Sequence, residues 1–194
     1  MNNQQQPRRN FIKKSFLSTV AVGAGMSFLT PSMQSFATPG DNEKDVSDAK
    51  NEKEFRMGLI GPAELSLAIS KIATQKALQK NAKEFAGFEL TEAMAVTTVL
   101  KDMGTPVPPM DAKAKSILQK MKNTSSGNEF DKAYIKAQLE THEFLRDLAQ
   151  DYLNNSKGKN TPNESHGRHL ATLALSNFKE HIAMTQRILG ELNV

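Results

Sequence analysis

The chain has 194 residues, with 25 basic and 21 acidic side chains, a formal charge of +4 and no cysteine. The lack of thiols excludes a small disulfide-stapled scaffold, thiolate catalysis, thiolate metal sites and a cysteine-linked lipid anchor. Four of the basic residues, Arg8, Arg9, Lys13 and Lys14, lie in residues 1–37, which hold no acidic residue. The remainder is therefore formally neutral and offers no broad basic face for nucleic acid.

The chain opens "MNNQQQPRRNFIKKSFLSTVAVGAGMSFLTPSMQSFATPG". After the basic residues, a charge-free run from Ser15 to Ala37 closes on Ser35-Phe36-Ala37, with small residues at −3 and −1. This pattern predicts an export signal over 1–37, cleaved after Ala37. "RRNFIKK", with Arg8, Arg9 and Phe11, resembles the twin-arginine signal, although Pro7 stands where Ser or Thr is usual. An uncleaved anchor is the alternative, because the run is long enough to cross a bilayer at about 20 residues. Its Gly, Ser and Thr content makes it a weak span. The expectation is passage through the twin-arginine export machinery to the periplasm or cell envelope, with no stable membrane span after cleavage.

Residues 38–53 are polar, with Val46 and Ala49 among their few apolar side chains, and read as a disordered linker. Residues 54–194 form the expected domain, and their apolar period is helical nearly throughout. "GPAELSLAISKIATQKAL" places Leu65, Ala68, Ile69 and Ile72 on one face, with Pro62 near the helix start. "NAKEFAGFELTEAMAVTTVLKDMG" groups Phe85, Phe88, Val96, Val99 and Met103 and stops at Gly104. "TPVPPMD" is a rigid connection, "DAKAKSILQKMK" a short helix, and "NTSSGN" a second break. A long helix is expected from Glu129 to about Ser156. Another is expected from Asn163 to about Leu192, with Pro162 well placed at its start.

No useful window alternates at period two, so no sheet is expected. Four long amphipathic helices, in antiparallel pairs over 54–103 and 129–192, suffice for a four-helix bundle. One long crossover between hairpins is the ferritin-like wiring. The expected fold is all-α, a ferritin-like four-helix bundle with a short extra helix in the crossover.

Such bundles build metal sites from inward-pointing Glu and His. Glu64 aligns with Ala68 and Ile72, and Glu89 and Glu92 flank the apolar face of the second helix. His142 falls among Ile135, Leu139 and Leu145, and His181 among Phe178, Met184 and Ile188. Glu64, Glu89, Glu92, His142 and His181 are thus the candidate ligands, a set suited to iron, manganese or zinc. The di-iron Glu-x-x-His pattern is missing, because Leu139 and Phe178 precede the two histidines by three. The competing reading needs no cofactor: a buried polar network bonded within the core. His166 and His169 read as surface or capping residues, and Asp131 as a favourable charge at a helix start. No nucleophile elbow or Gly-rich phosphate loop occurs, so no catalytic residue is assigned.

"FDKAYIKAQLETHEFL", with Phe130, Asp131, Tyr134, Gln138 and His142, resembles the signature of an exported bacterial family, domain of unknown function 4142. Glu64 in "AELSLAISKIATQKA" and His181 in "LSNFKEHIAMTQ" match further positions of that family over about 54–191. The resemblance implies a ferritin-like helical bundle without an established biochemical role. Two positions depart from it: Glu92-Ala93 stands where the family usually has Asp-His, and Ser176 where proline is common.

Three functions are compatible with these residues. The first is a non-enzymatic envelope protein whose polar cluster fixes helix pairing. The second is a metal-binding stress or metal-handling protein. The third is a module that binds another envelope protein or a second copy of itself.

Overall fold

A computed structural model describes residues 48–193. The expected signal at 1–37, its cleavage after Ala37 and most of the linker 38–53 lie outside the described residues. Within them are five helices and no strand: α1 Glu52–Lys76, α2 Lys80–Asp102, α3 Ala112–Asn123, α4 Asn128–Asn155 and α5 Pro162–Leu192. The fold is all-helical, as expected. No described helix is long and apolar enough to cross a membrane.

α1 begins where Asn51 Oδ1 accepts from the Glu54 amide at 2.9 Å. Glu52 and Glu54 in its first turn suit the helix dipole. The end of the expected linker is therefore ordered: Ala49 is buried, and Phe55, Leu59 and Ile60 bury the turns that follow. Pro62 consequently lies in the helix interior, which corrects the expectation that it stands near the helix start. The ring removes the N–H that would bond the Gly58 carbonyl. Buried Phe55 and Leu59 before it, and Ile69 and Ala73 after it, hold the helix together across that gap.

α1 and α2 form one antiparallel hairpin, α4 and α5 the other, and residues 103–111 with α3 make the crossover. α1 packs on α4, whereas α2 meets α5 only lightly. Buried Asp131, in the first turn of α4, fastens the α1–α2 turn by accepting from the backbone amides of Leu78 at 3.2 Å and Gln79 at 2.8 Å. A charge at the helix start thus also serves two amides that would otherwise lack partners. Lys76 does the reverse for α3, donating to the carbonyls of Met121, Lys122 and Thr124 at its end.

α2 is rotated relative to its expected face. Phe88, Val99 and Met103 are 56, 45 and 40 % exposed, while Ala82, Phe85, Ala86, Ala93 and Leu100 are buried with Glu89. The alanines share the buried side of α2 with Phe85 and Leu100, and Phe88, Val99 and Met103 turn outward. On α1, Leu65 and Ile69 are buried as expected, and Ser66 and Ser70 join them.

The core divides into two apolar clusters. One contains Ile69, Phe85, Phe130, Tyr134, Ile135 and Ile188; the other contains Phe55, Ile60, Leu100, Leu148, Tyr152 and Ala171. Along α2, α4 and α5 the gap between them is occupied by Glu89, by Gln138 and His142, and by His181.

Candidate metal centre

Each side chain at this waist owes its place to a different helix. α2 supplies Glu89, α4 supplies His142 and α5 supplies His181, all buried to 4 % exposure or less. Isolated charges are rarely tolerated at such depth. These three are not isolated: His181 Nδ1 lies 3.0 Å from Glu89 Oε2 and 3.0 Å from His142 Nε2. His142 Nε2 lies 3.3 Å from the same Glu89 Oε2. One oxygen and two nitrogens thus mark a small triangle.

The outer atom of each residue is held by another group. His142 Nδ1 faces the Gln138 carbonyl at 2.8 Å; since that oxygen only accepts, Nδ1 carries the hydrogen and Nε2 is left for the triangle. His181 Nε2 lies 3.2 Å from Glu92 Oε2, which leaves Nδ1 inward. Ser66 Oγ donates to Glu89 Oε1, which leaves Oε2 inward. Glu89 Oε2 meets neither ring N–H at a hydrogen-bonding angle, so it is a buried oxygen aimed at the triangle without a conventional partner. The Phe85 ring stands edge-on to both imidazoles, 5.3 Å from His181 and 6.4 Å from His142, and Phe178 lies 6.0 Å from His142.

Charge is distributed accordingly. Burial alone would raise the Glu89 carboxyl, but the close imidazoles of His142 and His181, with the Ser66 hydroxyl, outweigh it and bring the pKa down to about 2. Burial alone would lower His181, but its contacts with Glu89 and Glu92 lift it to about 9. Without a metal the waist therefore holds an imidazolium on α5 between two carboxylates of α2.

The donor set also fits a first-row divalent ion. Bonds of about 2.0–2.2 Å put neighbouring donors roughly 3.0–3.5 Å apart, between right-angled and tetrahedral geometry. The observed edges of 3.0, 3.0 and 3.3 Å fall in that range. Two imidazoles and one carboxylate suit iron, manganese or zinc rather than calcium.

Of the five ligands expected from sequence, Glu89, His142 and His181 come together. Glu92 sits on the outer nitrogen of His181, its side chain 42 % exposed. Glu64 is held elsewhere, in an ion pair with Lys101 at 2.6 Å. His166 and His169 are exposed. Sequence reasoning missed Ser66 and Ser70. Ser66 Oγ lies 3.0 Å from Gln138 Oε1, Gln138 Nε2 donates to Ser70 Oγ at 2.9 Å, and Ser70 Oγ meets the Tyr134 hydroxyl at 2.9 Å. Their signal was the four-residue spacing between Ala63 and Ala73, on a stripe where polar side chains need partners.

No curated protein and no solved structure matches the chain. A family model described as "Domain of unknown function (DUF4142)" matches residues 41–188, a span that contains Glu89, His142, His181 and the motif from Phe130 to His142. The chain belongs to that family, domain of unknown function 4142.

Proposed function

We propose that this protein is an exported, ferritin-like helical bundle that holds one divalent transition-metal ion, iron, manganese or zinc, on Glu89, His142 and His181. The observation that carries the reading is the convergence of three buried donor atoms within 3.3 Å while their outer atoms are engaged by Glu92, Ser66 and a backbone carbonyl. Outer partners that fix ring orientation and tautomer are the usual surroundings of a metal-binding histidine. The bundle reading is supported by two long hairpins joined through the α3 crossover. The role proposed is metal holding, and no catalytic residue is assigned. Arg8, Arg9 and Phe11 support export by the twin-arginine route to the periplasm or envelope. That route carries folded proteins, so the ion would be loaded before export.

The test is elemental analysis of protein prepared without chelators, followed by zinc titration of the stripped protein. One equivalent per chain is expected. Trace metal with no saturable uptake would leave the polar network as a structural device that pairs α2 with α4 and α5. A partner-binding role has its own support in the outward Phe88, Met94 and Val99 of α2. Sedimentation would reveal a second copy docked there.

A further inference from the structure

Resting on the metal-binding reading above, we infer that an ion at this site keeps an exchangeable coordination position and that this position takes a small monoanion. First-row divalent ions take at least four ligands, and sites with three protein ligands leave the next position to water or an added group. The three donors arise from three helices as a triangle with edges of 3.0 to 3.3 Å, and an ion bonded to all three at about 2.1 Å would stand off the plane of that triangle.

Among the described residues, the polar side chains linked to the three ligands are engaged elsewhere. Glu92 lies on the far nitrogen of His181, at 3.2 Å. The Ser66 hydroxyl serves Glu89 Oε1, and the Gln138 amide is shared between Ser66 and Ser70. The Tyr134 hydroxyl meets Ser70 at 2.9 Å. The rings of Phe85 and Phe178, packed against the two imidazoles, offer no donor atom. Among the described residues no further donor is left to complete the sphere, so the missing ligand is assigned to an added group.

Charge and size define its class. A divalent ion with one carboxylate and two neutral imidazoles keeps one positive charge in a buried setting, and the half-exposed Glu92 carboxylate, on the far nitrogen of His181, offsets it only across the ring. A monoanion removes it. Aromatic walls beside both imidazoles restrict that anion to a few atoms.

The experiment loads the full chain with cobalt(II) and records its visible absorption during addition of azide, with retained cobalt measured after dialysis. The bands are expected to shift and saturate at one azide per cobalt, with the metal retained. Cobalt bound at one equivalent whose spectrum stays constant to roughly 100 mM azide, where even a millimolar site would fill, overturns the inference and leaves the metal site standing. Failure to take up one equivalent of cobalt overturns both. Loss of cobalt to azide without a prior spectral change also overturns the inference, since the anion would then compete with the protein instead of sharing the ion.

Discussion

His142 Nε2 and His181 Nδ1 face one another at 3.0 Å across the waist of the fold, and Glu89 Oε2 closes the triangle. Because the ring hydrogen of His142 sits on Nδ1 and goes to the Gln138 carbonyl, the proton between the rings belongs to His181. A metal ion and that proton occupy the same space. They must exclude each other.

The first consequence concerns stability without metal. Glu89 is held at about 2, below its ordinary 4.5, so its contribution is fully present above pH 4.5 and is lost as pH falls toward 2. His181 is raised to about 9 from an ordinary 6.5, so its contribution is fully present below pH 6.5 and is lost as pH rises through 9. Metal-stripped protein should be most stable between these limits and should lose on the order of 2–3 kcal/mol by pH 9. Urea unfolding at a series of pH values reads this directly. Stability that is level or rising from pH 6.5 to 9 would show that His181 carries no extra proton.

Removal of each α2 carboxylate should have a different outcome. Glu89→Gln replaces a ligand oxygen by a neutral amide and should abolish stoichiometric zinc uptake. Glu92→Gln keeps all three donors but weakens the acceptor on His181 Nε2, so one equivalent should still bind, about 10–100-fold more weakly. Calorimetric titration of both variants distinguishes the roles. Equal loss in the two would make Glu92 a ligand in its own right.

A separate constraint sits at the far end of the fold, where α5 crosses the start of α1. A Cβ on Gly167 would lie 2.5 Å from Glu52 Cγ and 2.6 Å from the Tyr152 hydroxyl oxygen. Tyr152 stacks on Phe55 at 4.9 Å and donates to Glu164 at 2.9 Å, and Glu52 is paired with Arg56, so neither neighbour is free to withdraw. Gly167→Ala should destabilise the protein by about 1–3 kcal/mol. Zinc stoichiometry should be unchanged, since none of the site's contacts involves these residues. Thermal unfolding beside a zinc titration measures both.

The helical fold was legible because its period is continuous and its breaks are chemical: prolines at 106, 108 and 109, and Gly127 and Gly158 at the turns. His142 and His181 were legible as imidazoles on apolar stripes. Contacts between helices were not. A stripe names the buried face of a helix but not the atom it meets, so Glu64 could be placed near the core and still pair with Lys101. Serine fits surface and core alike, which hid Ser66 and Ser70. Asp131 illustrates a further limit: its position announced a favourable charge at a helix start, but its service to the amides of Leu78 and Gln79 depends on a turn 52 residues away.

α2 gives the sharpest case, and it can be tested. Size and hydropathy rank Phe88 with Phe85 as core, yet Phe85 is 2 % exposed and Phe88 56 %. Ala82, Ala86 and Ala93 are buried on the side that also carries Glu89, and a helix cannot bury both sides against the same neighbours. Phe85 lies against His181, His142 and Tyr134, so Phe85→Ala should remove about 3–5 kcal/mol of stability and loosen the imidazole pair. Phe88→Ala should change stability by less than about 0.5 kcal/mol in the monomer, as expected for a substitution on an exposed face. Chemical unfolding of the two variants at low protein concentration makes the comparison. Similar losses in both would mean that α2 presents Phe88 to the interior and that Glu89 cannot stand where the two histidines meet.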